Sequence, residues 1–440
     1  MGNNLLEIWE IFLAPIYILL IFVFAFFIPS QGDRRIFNLG LGAKVTGGIA
    51  FTLIYLFYYG GGDTIVYYKT AIAYCNLILQ SPFEGLAITL SNNSIENFSF
   101  FTPETGYPVR HIFNDSATLM VSKIAIPFLL LSFKSYLIGS LLISFISYLS
   151  IWQLFKLFRH LTNNKQISIL STLFVPSILF WGSGISKDTI TFAATCYFVY
   201  GAYWIIIRRK FKLMIVILSA ISLWLIITIK PYIFLVLFPG TLVWIFFNSI
   251  QSIKNKFIRT ATVPIILVSS IIISGFTLNS ISSVLGEYST DNIMRKAIIA
   301  QEDLKQDYYG GNSFDIGKIE PTTAGVISKF PIATFYGFFG PTLVDVNNVV
   351  MLFSALENTV LLFLSISIFL LRNPVKTLQR LSGEPFLTFC LLFSVLFAFG
   401  IGLSSPNFGA LVRFKIPLLP FFLIMLLSIF TKTNTDISKP

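Results

Sequence analysis

The chain has 440 residues, of which 55% are hydrophobic and only 12% charged, and its mean hydropathy is +0.79. That balance excludes a soluble domain of this size and puts most of the chain in a bilayer. The net charge of +11 does not call for nucleic acid, because 18 of the 31 basic residues fall in short connections between apolar runs, where they orient a membrane protein and meet anionic lipid.

Apolar runs of bilayer-crossing length recur along most of the sequence. They predict an all-α polytopic protein of eleven transmembrane helices, at 11–29, 45–60, 135–157, 167–182, 187–207, 212–229, 231–248, 260–279, 346–371, 385–403 and 415–431, in one domain covering 1–440. The runs favour a helix bundle over the alternating pattern of a β-barrel. Glu7 and Glu10 precede the first run, which reads as a retained helix rather than a cleaved signal peptide. Every second connection is basic: Arg34, Arg35 and Lys44; Lys156, Arg159 and Lys165; Arg208, Arg209, Lys210 and Lys212; Lys254, Lys256 and Arg259; Arg372, Lys376 and Arg380; then Lys432 and Lys439. By the positive-inside rule these face the cytoplasm, so the N-terminus is expected outside and the C-terminus cytoplasmic.

Two connections are too long and too polar to be simple turns, and this topology makes both extracytoplasmic: 60–134 and 280–345. The first opens with Tyr58-Tyr59-Gly60-Gly61-Gly62-Asp63-Thr64, followed by a stretch, 64–80, able to lie as an interfacial helix. The glycines end the preceding helix, so Asp63 is expected on a tight turn at the interface, where a carboxylate beside hydrocarbon needs a reason. The second is acidic, with Glu287, Asp291, Glu302, Asp303, Asp307, Asp315 and Glu320. Cys75, Cys196 and Cys390 are too scattered for a metal motif, and His111 and His160 fall on opposite faces. A divalent cation would therefore have to be held by loop carboxylates and a ligand phosphate.

Four basic residues break the orientation pattern by falling at outer helix ends. They are Lys187 in Gly184-Ile185-Ser186-Lys187-Asp188-Thr189, Lys230 in Ile229-Lys230-Pro231-Tyr232, and Arg413 and Lys415 in Leu411-Val412-Arg413-Phe414-Lys415-Ile416-Pro417. Cations at that depth suit a phosphate or pyrophosphate anchored in the outer leaflet. Their plainer readings are a local Lys187–Asp188 ion pair, a snorkelling Lys230 at a helix break, and headgroup anchors for the last helix. Glu357, inside a span next to Asn358, reads as polar glue for helix packing.

The Gly62-Asp63-Thr64 context with Tyr67-Tyr68 after it resembles the first outer loop of GT-C superfamily glycosyltransferases. The stretch from Leu411 to Phe421 is similar to the Arg-Tyr-Arg-x-Pro-x-x-Pro-Phe segment near the end of bacterial members related to protein mannosyltransferases. Weaker likenesses at 134–158 and 175–189 lie between them in the family's order. The resemblance implies a multi-pass protein of a bacterial cytoplasmic membrane that transfers sugar from a polyprenyl-phosphate carrier to a glycan, lipid or protein acceptor outside. It also implies Asp63 as general base, with Lys187, Lys230, Arg413 and Lys415 around the leaving phosphate. The chain departs from the family in having Asp63-Thr64 where two acids often stand, Phe414-Lys415 for the usual Tyr-Arg, and an extra helix at 11–29. A polysaccharide polymerase or ligase would rely on Arg and His in the second loop, which is acidic and lacks His; a flippase for lipid-linked glycan would use Glu357 and the Lys230-Pro231 break.

Overall fold

A computed structural model describes residues 6–30, 32–255, 312–317, 319–320 and 322–431, with isolated positions at 262, 265, 268 and 269. The expected span at 260–279 and most of the expected outer segment up to 311 lie outside the described residues. Among the described residues every regular element is a helix, and extended backbone pairs in an isolated bridge between Ser313 and Asn407.

In chain order the helices are α1 (Ile8–Phe26), α2 (Arg34–Leu53), α3 (Asp63–Gln80), α4 (Pro82–Leu90), α5 (Ile95–Phe98), α6 (Arg110–Asn114), α7 (Ser116–Leu131) and α8 (Tyr136–Thr162). They continue with α9 (Lys165–Thr172), α10 (Pro176–Trp181), α11 (Lys187–Ala202), α12 (Leu213–Ile229) and α13 (Pro231–Gln251). Among the described residues from 312 onward the helices are α14 (Thr323–Ser328), α15 (Phe330–Phe339), α16 (Val349–Leu371), α17 (Pro374–Gly383), α18 (Pro385–Ser404), α19 (Phe408–Phe414) and α20 (Leu419–Phe430). Two π-helical turns, Ile54–Tyr58 and Tyr203–Ile207, extend α2 and α11.

Six of these, counting the π-helical extensions, are long and apolar enough to cross a membrane, and a seventh forms if α19 and α20, bent by 69°, count as one. The chain is therefore a helical membrane protein. The run expected as one span at 167–182 is instead two short helices, α9 and α10. Pro176 explains the interruption, because the residue before a proline is pushed out of helical conformation. Within the expected outer segment 60–134 the chain is helical through α3 to α7, and α7 is itself a short apolar helix.

The described chain divides into two compact units. The first takes the chain through Gln153 with Ile178–Tyr197 and Trp224–Lys230; the second takes Leu154–Ser177, Phe198–Leu223 and the chain from Pro231 onward. In the first, α3 packs on α7 and α4 through buried Tyr67, Ala71, Tyr74, Cys75 and Leu77. Glycines on α2 permit close approach: a Cβ at Gly47 would lie 2.2 Å from the Leu179 carbonyl oxygen, and one at Gly40 would lie 2.6 Å from the Tyr148 hydroxyl. Arg34 closes α1, donating to the carbonyls of Ala25 and Ile28 at 2.7 Å each.

The second unit has an aromatic core. Phe389 stacks on Trp244 with centroids 4.9 Å apart, and Phe421 packs edge-on against Phe389 and Phe393. Beside it α15 and α18 cross at backbone distance through Ala333 and Gly337 on one helix and Ala398 and Gly402 on the other. This small-xxx-small pattern lets helices touch in lipid, where apolar bulk alone gives no drive to associate. A Cβ on Gly402 would stand 1.9 Å from the Ala333 carbonyl oxygen, whereas one on exposed Gly400 would meet nothing within 4 Å. Gly402→Leu is expected to cost about 1–3 kcal/mol or more by overpacking. Thermal unfolding in detergent should show a clear drop for Gly402→Leu and little change for Gly400→Leu; equal effects would overturn the crossing.

Candidate functional site

Five charged side chains from four segments gather in the first unit. Their placement begins with the turn before α3. Gly60 and Gly62 adopt φ of +61° and +105°, a region that strains any residue with a Cβ, and a Cβ on Gly62 would also press to 3.0 Å of the Tyr55 ring. This turn starts α3 at Asp63, whose exposed carboxylate sits where the helix dipole favours negative charge. Thr64, next in the chain, is buried and shares a 2.9 Å hydrogen bond with the Tyr136 hydroxyl, which ties the start of α3 to α8.

Asp115 caps α7, accepting from the Ala117 amide at 3.1 Å and from the Thr118 hydroxyl. Lys187 and Asp188 open α11, where Ser186 Oγ accepts from the Thr189 amide at 3.0 Å. Lys230 ends the segment after α12, immediately before Pro231 begins α13. Lys187 Nζ lies 3.4 Å from Asp115 Oδ2, with the two side chains 25% and 49% exposed. Lys230 Nζ donates to Asp188 Oδ1, and there both side chains are only 7% exposed. Asp63 and Lys230 also act electrostatically on Lys187, so the five groups form one network.

The expected site residues therefore separate by environment. Asp63, Lys187 and Lys230 come together in the first unit, while Arg413 and Lys415 belong to the second. The expected local pair of Lys187 with Asp188 is replaced by two cross-element pairs, Lys187 with Asp115 and Lys230 with Asp188. Lys230 is buried rather than snorkelling, and it neutralises a buried acid. Lys415 is fully buried, and its ammonium donates to Asn358 Oδ1, to the Gly340 carbonyl at 2.9 Å and to the Phe338 carbonyl at 3.4 Å. An ammonium has three N–H groups, and three protein oxygens receive them, so Lys415 holds the end of α15. Arg413, half-buried in the last turn of α19, donates from Nε to the Gly409 carbonyl at 3.3 Å.

Two further residues are placed differently from expectation or more sharply. Lys44, expected in a cytoplasmic connection, lies inside α2 and is fully buried; it donates to the Ile178 carbonyl at 3.1 Å and to the Gly182 carbonyl. The neighbouring glycines were the available signal, since a lysine among Gly40, Gly42, Gly47 and Gly48 sits on a helix built for close packing. Glu357 accepts from the Ser177 amide at 2.8 Å, and its neighbour Asn358 donates to the Pro341 carbonyl at 2.9 Å, so this pair does join separate segments. His111 is exposed at the end of α6. Among the described residues no group of three or more His, Cys, Asp or Glu side chains could hold a metal ion.

Compared with models of protein families, with curated proteins and with solved structures, the chain matches none. What the site can do is therefore read from its charges. The buried Lys230–Asp188 pair is accompanied by a more open pair, Lys187–Asp115, and by the exposed carboxylate of Asp63.

Breaking the buried pair should be costly, because it strands a charge. Lys230→Met is expected to lose about 3–5 kcal/mol, and adding Asp188→Leu should recover most of it. Unfolding of the single and double variants in detergent checks this; no recovery in the double variant would refute the pairing. Asp115 gives a pH test. Burial alone would raise its carboxyl, but Lys187 and the hydrogen bonds from Thr118 and Ala117 more than reverse that, holding it below the usual aspartate range. A depressed carboxyl stabilises the fold fully above its unfolded value of about 3.9 and loses that contribution as pH falls through the lower folded value. The gap in thermal unfolding between the parent and Asp115→Asn should therefore be present at neutral pH and close in strong acid; a pH-independent gap would contradict the pairing.

Proposed function

We propose that the protein is a glycosyltransferase that moves a sugar from a polyprenyl-phosphate carrier to a glycan, lipid or protein acceptor on the outer side of the membrane. The observation that carries the reading is that exposed Asp63 belongs to the same charged network as Lys187, on which it acts electrostatically, in the first unit. Glycosyl transfer from a lipid phosphate needs these two charges. A carboxylate takes the proton of the acceptor hydroxyl as its oxygen bonds to the anomeric carbon. A cation meets the phosphate oxygen that leaves with the electron pair of the broken glycosidic bond. Asp63 is assigned the first task and Lys187 the second, with Asp115 orienting Lys187. Lys230 and Asp188 support them from below, and the proton on Asp63 returns to water after product leaves.

A carrier-lipid flippase is the second reading, favoured by half-buried Glu357 and by the interrupted helices of the second unit, since charge at broken helices lines substrate paths. The two readings part on whether a glycosidic bond is made. In membranes supplied with polyprenyl-phosphate sugars, Asp63→Asn should lower transfer by about 10²–10⁴ while expression and thermal unfolding hold. Lys187→Gln should weaken use of the donor more than of the acceptor. Transfer by Asp63→Asn within a few-fold of the parent would sink the general-base assignment. Carrier movement across proteoliposomes without bond formation would favour the flippase instead.

A further inference from the structure

We propose that His160, Tyr203, Trp204, Arg208 and Lys210 form a binding site for the headgroup phosphate of one anionic phospholipid, at the basic end of the second unit and independent of sugar transfer. The charge pattern raises the question. Asp188 is the only acidic residue between 116 and 286, and it is already paired with Lys230 in the other unit. The elements that carry Arg208 and Lys210 therefore bring cations with no carboxylate of their own.

The backbone then sets the two cations side by side. α11 ends in the π-helical turn Tyr203–Ile207, and Arg209 takes φ of +51°, a left-handed conformation that reverses the chain. After this reversal the Lys210 amide donates to the Trp204 carbonyl at 2.8 Å. Arg208 returns over the Tyr203 ring, 5.6 Å from its centroid, and Lys210 over the adjacent Trp204 ring at 5.1 Å. Two like charges are thus held on neighbouring aromatic faces.

Hydrogen-bond direction fixes the rest. A guanidinium can only donate, so Arg208 Nε gives its proton to the Tyr203 oxygen at 2.7 Å. The Tyr203 proton is then directed to His160 Nε2 at 3.1 Å, which makes that nitrogen an acceptor and the ring a neutral one. Arg208 Nη2 also approaches the same nitrogen at 3.4 Å. One edge of the guanidinium is pinned, which orients its remaining N–H groups beside the Lys210 ammonium. A planar fork next to a point cation is the pairing that phosphate oxygens accept best.

The surroundings point to a lipid rather than free phosphate. Ile206, Phe211, Leu213 and Met214 flank the cations and are 46%, 73%, 76% and 66% exposed. Such side chains beside a membrane helix end are covered by acyl chains, which an inorganic anion lacks.

The test uses the full-length protein in neutral detergent, titrated with phosphatidylglycerol or with phosphatidylcholine of the same acyl chains, and counts bound lipid by native mass spectrometry. The parent should bind the first phosphatidylglycerol about 25-fold more tightly, and Arg208→Gln/Lys210→Gln should lose roughly all of that preference, about fivefold per cation. Lys376→Gln, on α17, should change nothing. Arg208→Lys keeps the charge but loses the fork and the pinned geometry, and should bind several-fold more weakly; it decides the matter if the double variant does not fold. Inorganic phosphate in millimolar excess should leave the lipid bound. Equal binding of the two lipids by the parent, unchanged preference in the Arg208 variants, or full displacement by inorganic phosphate would each overturn the assignment.

Discussion

A helix that stops inside hydrocarbon leaves carbonyl oxygens with no water to satisfy them, and each such group costs several kcal/mol. The fold depends on how that cost is met. In each unit a fully buried lysine supplies the missing donors. Lys44 reaches the carbonyls of Ile178 and Gly182 at the end of α10, and Lys415 reaches those of Phe338 and Gly340 at the end of α15. Among the described residues neither ammonium lies within ion-pair distance of a carboxylate; their charge meets helix-end dipoles, which are negative at a C-terminus. Arg34 does the same at the end of α1, and Arg372 and Arg380 do so at the carbonyls of Phe430 and Thr431 after α20.

This constraint sets the position of the charged network in the first unit. Gly182 has no side chain, and a Cβ there would crowd Lys44 Nζ at 3.2 Å and the Ile178 carbonyl oxygen at 2.6 Å, so the lysine can close the helix only because the residue is glycine. Gly184 then turns the chain with φ of +73° against the Phe51 ring. The turn is held from the opposite side, where the Gly184 amide donates to Ser144 Oγ at 3.0 Å. Five residues after the capped carbonyl of Gly182, α11 begins, and its first two residues are Lys187 and Asp188. A cation buried in α2 thus sets where the half-buried cation of the network, Lys187, emerges.

The sequence carries the class and the ends of the elements better than their pairing. Hydropathy alone places the chain in the membrane, and the Gly60–Gly62 turn marks the start of α3 because few other residues tolerate those angles. Lys187 and Lys230 are legible as helix-end cations. Their partners are not, since Lys187 meets an acid 72 positions away and Lys230 one 42 positions away, and nothing in local spacing encodes either distance. Asp115 carries a local signal of another kind: an acid before Ser116-Ala117-Thr118 is a helix N-cap, which fixes its backbone role and not its ion pair. Lys44 defeats the charge rule for a physical reason. Positive-inside counting treats every lysine near a span end as a loop residue, whereas a lysine can enter the bundle wherever helix-end carbonyls replace its water. Similarly, periodicity shows that 167–182 is apolar without showing that Pro176 divides it.

Burial then sorts the cations more sharply than charge does. Lys44, Lys230 and Lys415 are all within reach of polar partners and all enclosed, so each is occupied by the fold. A ligand phosphate could recruit one of them only by stranding a carboxylate or several carbonyls, a loss comparable to the gain from the new contact. Lys187 is different because its partner is half open to solvent and its pairing with Asp115 sits in higher dielectric, where an ion pair is worth little and exchanges cheaply. An anion can compete for Lys187 at smaller cost than for the enclosed lysines, and the Asp63 carboxylate is exposed. Burial thus separates three enclosed lysines, each already engaged by the fold, from Lys187, whose pair is more open to exchange.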